Sequence, residues 1–299
     1  MVDFLLLRNF QYLNWRTLRL TFVKTIQGRL LGLAAEIAFH TMLSLFPAIL
    51  SLLTAVELLA ESLQEIFRQI AEQLSQIVPQ DAWVLIRNFA IQEIGNSKNS
   101  GLFSLSFAIA IWTASGAIST AMSAFDHIQK IPLSKMRPFW LAKLVALGLT
   151  TGSILLLLIA SFLVLISDFI LEKVIDKRTA GEIILTLWQL FLWPIALSLV
   201  AIAFAFTYRY GPSLRRSSTP LLPGAVLAAI FWAILSALFR LYVRNFGNYN
   251  QVYGAVGTVI VLMLWLWMSA FVFLVGYQLN VIIGEGISSR PKKLVKQSE

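Results

Sequence analysis

Glu36, His40, Ser44, Pro47, Ser51 and Thr54 follow one another at steps of four, four, three, four and three, which sets them along one face of a helix. Glu36 and His40 stand one turn apart and can share a proton. Pro47 has no N–H to donate, so a carbonyl one turn earlier, near Leu43, is freed beside the same stripe. Two readings fit the stripe. It can be a polar pathway with a protonatable pair near its cytoplasmic end. Alternatively, Glu36 is hydrated at an interface and the hydroxyls bond to their own backbone. A second face carries Trp112, Ser115, Ser119, Ser123 and Asp126, beside a small-residue row of Gly116, Thr120 and Ala124 that admits a neighbouring helix closely. Asp126 and His127 belong to the same membrane side as Glu36 and His40, and the four can line one inward-facing vestibule. Pro194 is expected to kink its helix, as a structural bend or a hinge. Tyr253, Gly254 and Gly257 open the last apolar block and suggest close helix contact.

The elements that must hold these residues are set by composition. Of 299 residues, 58% are apolar and 13% charged, with a mean hydropathy of +0.76. There is too little polar surface to cover a water-facing globule. The apolar residues fall in blocks long enough to cross about 30 Å of hydrocarbon. In lipid such blocks must be helices, because nothing there satisfies free backbone polar groups, and the alternation of a barrel strand is missing. The expected architecture is all-α: a polytopic transmembrane helical bundle of six spanning helices plus interfacial amphipathic helices. The spans are expected at about 30–59, 102–128, 139–167, 183–208, 221–242 and 252–283. They are preceded by a cytoplasmic amphipathic segment, 1–29, and followed by a basic cytoplasmic tail, 284–299. The early Phe4–Leu7 run lacks a basic start and a cleavage site, so the first span is expected to serve as the insertion signal.

Charge orients this bundle. Under the six-span reading, sixteen Lys and Arg fall on the side of the termini and eight on the other, so both ends are expected in the cytoplasm. That bias accounts for the net charge of +9 without nucleic acid. Trp15, Leu18, Phe22 and Ile26 share a helical face near Arg16, Arg19 and Lys24, the pattern of a helix lying on anionic headgroups. On the opposite side, Leu63, Ile66, Phe67, Ile70, Leu74 and Ile77 mark a second amphipathic helix, with a solvated turn at 96–101. With no cysteine and two histidines, disulfides, thiolate sites and His-rich metal sites have no residues to build on. Signatures of hydrolases, zinc proteases and phosphate loops are missing. No catalytic, metal or cofactor site is expected, and the chain is read as a non-enzyme.

Several segments resemble the YihY/BrkB family of bacterial inner-membrane proteins. They are 34–40 with 44–47, 111–116, Tyr208-Arg209-Tyr210-Gly211-Pro212, Pro223-Gly224-Ala225, and 249–257 leading into Leu264-Trp265-Leu266-Trp267. The resemblance covers about 25–285 and departs from the expected small and aromatic residues at Glu36 and His40. It implies six spans and a bacterial plasma-membrane location. Some family members carry a ribonuclease label, for which these residues offer neither metal-binding carboxylates nor a His acid–base pair. The leading expectation is a transporter or flippase-like protein for an amphipathic or lipid substrate, with membrane lipids as partners. A non-transporting scaffold for envelope assembly is the alternative, and a membrane-embedded enzyme the third. No motif sets an oligomeric state.

Overall fold

The computed structural model describes residues 12–58, 100–174, 180–214, 216, 218–245 and 249–288. Among them run seven α-helices: α1 (Trp15–Gln27), α2 (Leu30–Leu58), α3 (Ser100–Ile128), α4 (Phe139–Val174), α5 (Ala180–Tyr210), α6 (Leu222–Asn245) and α7 (Tyr249–Ser288). A 3-10 turn at Leu133–Lys135 joins α3 to α4. The described residues contain no strand. Each expected block lies along one of α2 to α7, whose ends differ from the expected bounds by up to seven residues, the most at Val174 of α4. The second amphipathic helix, most of the 96–101 turn and the tail beyond Ser288 lie outside the described residues; Ser100 and Gly101 already belong to α3.

Five stretches are long and apolar enough to cross a membrane: Leu30–Leu50, Leu105–Ile128, Phe139–Leu156, Leu222–Val243 and Val259–Ser288. In α5 the apolar stretch Pro194–Tyr210 is shorter and is not among them. Only 17–28% of the residues in the five windows are buried within the protein. Helices this apolar with most side chains turned outward need hydrocarbon around them, so the chain is a multi-pass membrane protein.

The chain divides into two compact units. The first comprises Met1–Leu33, Ala121–Ala233 and Phe271–Glu299; the second comprises Ala34–Thr120 and Ile234–Ala270. In the first, Phe125, Tyr208, Leu274, Tyr277 and Ile283 are fully buried and form the core, and α4 packs on α5. In the second, most of the buried residues are small, among them Ala34, Ala38, Ala110 and Ser115, with Ile37 the larger exception. Small side chains let helix backbones approach where lipid gives no hydrophobic incentive to associate.

Local chemistry sets the helix ends. Asn14 accepts from Thr17 N (2.9 Å) and caps α1. Gly28 and then Arg29, at φ 54°, break the chain before α2. At the end of α3, Lys130 takes φ 54°, with Lys130 N bonding to His127 O (3.0 Å) and Ile131 N to Asp126 O (3.0 Å). That is a Schellman cap with lysine in the left-handed position glycine usually fills.

Candidate functional site

In the first unit the α3–α4 and α5–α6 connections are locked together. Asp126 accepts from Ser213 N (2.7 Å) and from Ser213 Oγ (2.5 Å). The same hydroxyl accepts from Arg137 N (3.1 Å). The Arg137 guanidinium donates to the carbonyls of Tyr210 (3.0 Å), Gly211 (3.0 Å) and Pro212 (2.8 Å). These carbonyls lie at the C-terminal end of α5, where acceptors lack helical partners and the dipole is negative, so one cation answers both needs. Arg216 Nη2 donates to Gln129 O (3.2 Å), and the Gln129 amide bonds to the Tyr277 hydroxyl. Below this layer Phe125 meets Tyr208 edge-on at 5.7 Å and Tyr277 at 4.0 Å, while Tyr208 donates to Phe273 O (2.6 Å).

A third contact ties α6 to α7. Asn280 is fully buried; its Oδ1 accepts from Gly224 N (2.7 Å) and its Nδ2 donates to Leu221 O (2.9 Å). The two helices cross on glycine. A Cβ on Gly276 would lie 2.6 Å from both Ala228 Cβ and Gly224 O, and one on Gly224 would overlap the Gly276 carbonyl. Gln278 and Asn280, which the sequence places at the inner interface, are both buried within the first unit.

In the second unit the α2 stripe is divided. Glu36 is exposed, beside the outward-facing Ala35 and Phe39. His40 is half-buried over Gly116, where an added Cβ would come 3.2 Å from its Nδ1. Ser44 is buried and donates to Thr41 O (2.7 Å); Ser115, fully buried, donates to Trp112 O (2.6 Å). These hydroxyls therefore bond within their own helices. Ser119 and Pro47 are half-buried, and Gly257 is buried. Tyr253 and Gly254 lie in α7, and their side chains fall outside the description. Pro194, in the first unit, is exposed within α5, with Ser198 Oγ donating to its carbonyl (2.7 Å). His127 is exposed at the end of α3, whereas Asp126 is buried with its carboxylate turned onto Ser213. Among the described residues, no three His, Cys, Asp or Glu come together as a metal site.

An open apolar groove of about 460 Å³ runs between α2 and α7 within the second unit. Ala35, Phe39 and Leu43 form one wall, and Val259, Met263 and Trp267 the other. Glu36 follows Ala35 in the chain and is not among the residues that line the groove.

The Arg137 clamp and the Gly224 crossing draw on Tyr208–Pro212 and Pro223–Ala225, two of the segments that carry the family resemblance. A family model described as "Virulence factor BrkB" matches residues 21–298. The chain belongs to the BrkB family. The chain is 30% identical over 250 residues to the "Putative ribonuclease-like protein YfkH" of Bacillus subtilis (strain 168), covering 84% of this chain and 88% of that one. It is 26% identical over 290 residues to the "UPF0761 membrane protein NTHI0384" of Haemophilus influenzae (strain 86-028NP), covering 93% and 96%. A shorter match, 33% over 109 residues, covers 36% of this chain and 36% of the "UPF0761 membrane protein PSHAa0171" of Pseudoalteromonas translucida (strain TAC 125). No solved structure matches the chain.

The Arg137, Ser213 and Asn280 contacts were beyond the reach of periodicity, because each pairs residues far apart in sequence. The available signal was a polar residue placed where helices end: Asn280 late in an apolar block, Arg137 before a proline.

Proposed function

We propose that this BrkB-family chain is a transporter or flippase-like protein for an amphipathic or lipid substrate in the bacterial plasma membrane. The observation that supports this reading is the open apolar groove between α2 and α7, with Glu36 exposed on the same helix α2. Its α2 wall, from Ala35 to Leu43, extends about 12 Å at 1.5 Å per residue. That suits a stretch of acyl chain, while an ionisable group on a spanning helix suits a polar head. The topology proposed with it has six spans, α5 being the fourth, and both termini in the cytoplasm, as the Lys and Arg bias favours.

Purified protein in vesicles carrying fluorescent lipids and solutes tests this. Protein-dependent movement that drops in Glu36→Gln and in the groove-filling Leu43→Trp is the expected result. Absence of movement across a broad panel would remove the reading.

A scaffold role in envelope assembly is the second reading, favoured by the way Asp126, Arg137 and Asn280 are all taken up in joining helices. It predicts that Glu36→Gln and His40→Ala keep the cellular phenotype, while disrupting the packing at Gly116 or Gly257 abolishes it. YfkH's name points to ribonuclease, but we propose no hydrolytic step here. The two histidines sit apart from any carboxylate cluster among the described residues: His40 rests over Gly116 and His127 faces outward.

A further inference from the structure

Helix α1 packs against the protein by its hydroxyl-bearing face. Thr21 and Thr25 are 5% and 4% exposed, whereas Trp15, Phe22 and Ile26 are 80%, 67% and 58% exposed. A helix bathed in water buries the opposite set. The outward arc therefore meets something other than water. Its place in the chain says what. Two residues, Gly28 and Arg29, separate α1 from the spanning helix α2, so the end of α1 lies within about 11 Å of that span's start. The headgroup layer of one leaflet is about 5–8 Å deep, so the end of α1 lies in it or just outside it. Gly28 leaves little room at the joint, since an added Cβ would fall 2.8 Å from Leu30 Cδ1 and 2.9 Å from Lys24 O.

Charge narrows the choice further. Arg16 and Arg19 are exposed and three residues apart, so they project side by side, with Arg19 bordering the Trp15–Phe22 edge. The helix contains no acidic residue to neutralise them. The third cation, Lys24, is already paired with Glu285 of α7 at 2.6 Å.

We propose that α1 is a binding surface for the anionic headgroup layer of the bilayer, its apolar edge entering the acyl boundary while Arg16 and Arg19 bind lipid phosphates. Aromatic and aliphatic side chains supply depth and the two guanidinium groups supply selectivity for anionic lipid. Naming the cytoplasmic leaflet rests on the topology proposed above; the lipid chemistry does not.

The chain has no cysteine, so one introduced at Phe22→Cys, or at Val23→Cys as a second site, can carry an environment-sensitive fluorophore. The labelled protein is placed in nanodiscs of phosphatidylglycerol mixed with phosphatidylcholine, or of phosphatidylcholine alone. Nitroxide-bearing lipids then report contact. Blue-shifted emission with strong lipid quenching is expected in the anionic discs. Quenching should be about twofold weaker in neutral discs, in Arg16→Gln/Arg19→Gln and at raised salt. Equal quenching in both discs would overturn the anionic preference. Blue-shifted emission without lipid quenching would show that a protein partner or a second copy covers the face, and water-like emission would show that nothing does. No arm measures flux, so a failure here is separable from a failure of the transport reading.

Discussion

Asp126 shows how burial changes the meaning of a single carboxyl group. It lies near a helix end, where water is usually close, but it is 6% exposed and accepts both polar hydrogens of Ser213. Bonds to a charged group contribute about 1.5–3 kcal/mol each. Asp126→Ala should therefore lower the thermal unfolding midpoint in detergent well below that of Ser213→Ala, which keeps the backbone bond; size-exclusion after graded heating compares them. Lys130 is the counter-case. A non-glycine residue in the left-handed region costs roughly 1–2 kcal/mol, so Lys130→Gly should leave stability unchanged or raise it, and Lys130→Val should lower it by the same assay. Outcomes in the reverse order would show that the α3 cap does not limit stability.

At the scale of elements, contact between helices is decided where a side chain is missing. Gly224 and Gly276 bring α6 against α7 so closely that added atoms meet backbone, which cannot rotate away. Gly276→Leu should abolish recovery of folded protein. Gly116→Ala faces only the His40 ring and should be recovered at reduced stability, while Gly148→Ala, with nothing within 4 Å, should behave as wild type. Fluorescence of a fused reporter on size-exclusion ranks the three. The α5 terminus offers another test. Arg137 spreads its guanidinium over three carbonyls, a geometry a lysine ammonium does not reproduce. Arg137→Lys should lose most of the stability lost in Arg137→Ala, measured as the shift in unfolding midpoint.

For the molecule as a whole, what the outward surface touches governs behaviour. Phe39, Phe46, Trp140, Leu158 and Phe231 are each more than half exposed, which is tolerable in hydrocarbon and not in water. The protein should sediment with membranes and stay there through alkaline carbonate washing, coming off only in detergent. Cysteines placed singly at Asn14 and at Ser288 should react with a membrane-impermeant reagent only from the cytoplasmic side. Labelling on opposite sides would contradict an even number of spans. The Lys24–Glu285 pair is half-exposed on both partners, and such pairs contribute little, so Lys24→Met should leave extraction and folding unchanged.

The sequence by itself determined a helical, membrane-crossing chain and where along it the helices fall, with ends that differ by up to seven residues, because hydrocarbon thickness and backbone satisfaction leave one solution for blocks like those of α2 and α7. The exposed apolar stripe of α1 beside its arginines was legible too, being a local pattern, and it is the basis of the lipid contact proposed for that helix. Tertiary structure alone decided which polar residues join helices. Asp126 with Ser213, Arg137 with the end of α5, and Asn280 with the start of α6 are pairings over 56 to 87 positions. Periodicity assigns a residue to a face of its own helix, but the neighbour across that face is chosen by the packing of the whole bundle. For the same reason the stripe from Glu36 to Pro47 was legible as one row, while only the fold separated its exposed carboxyl from a histidine pressed onto glycine and a serine bonded to its own helix.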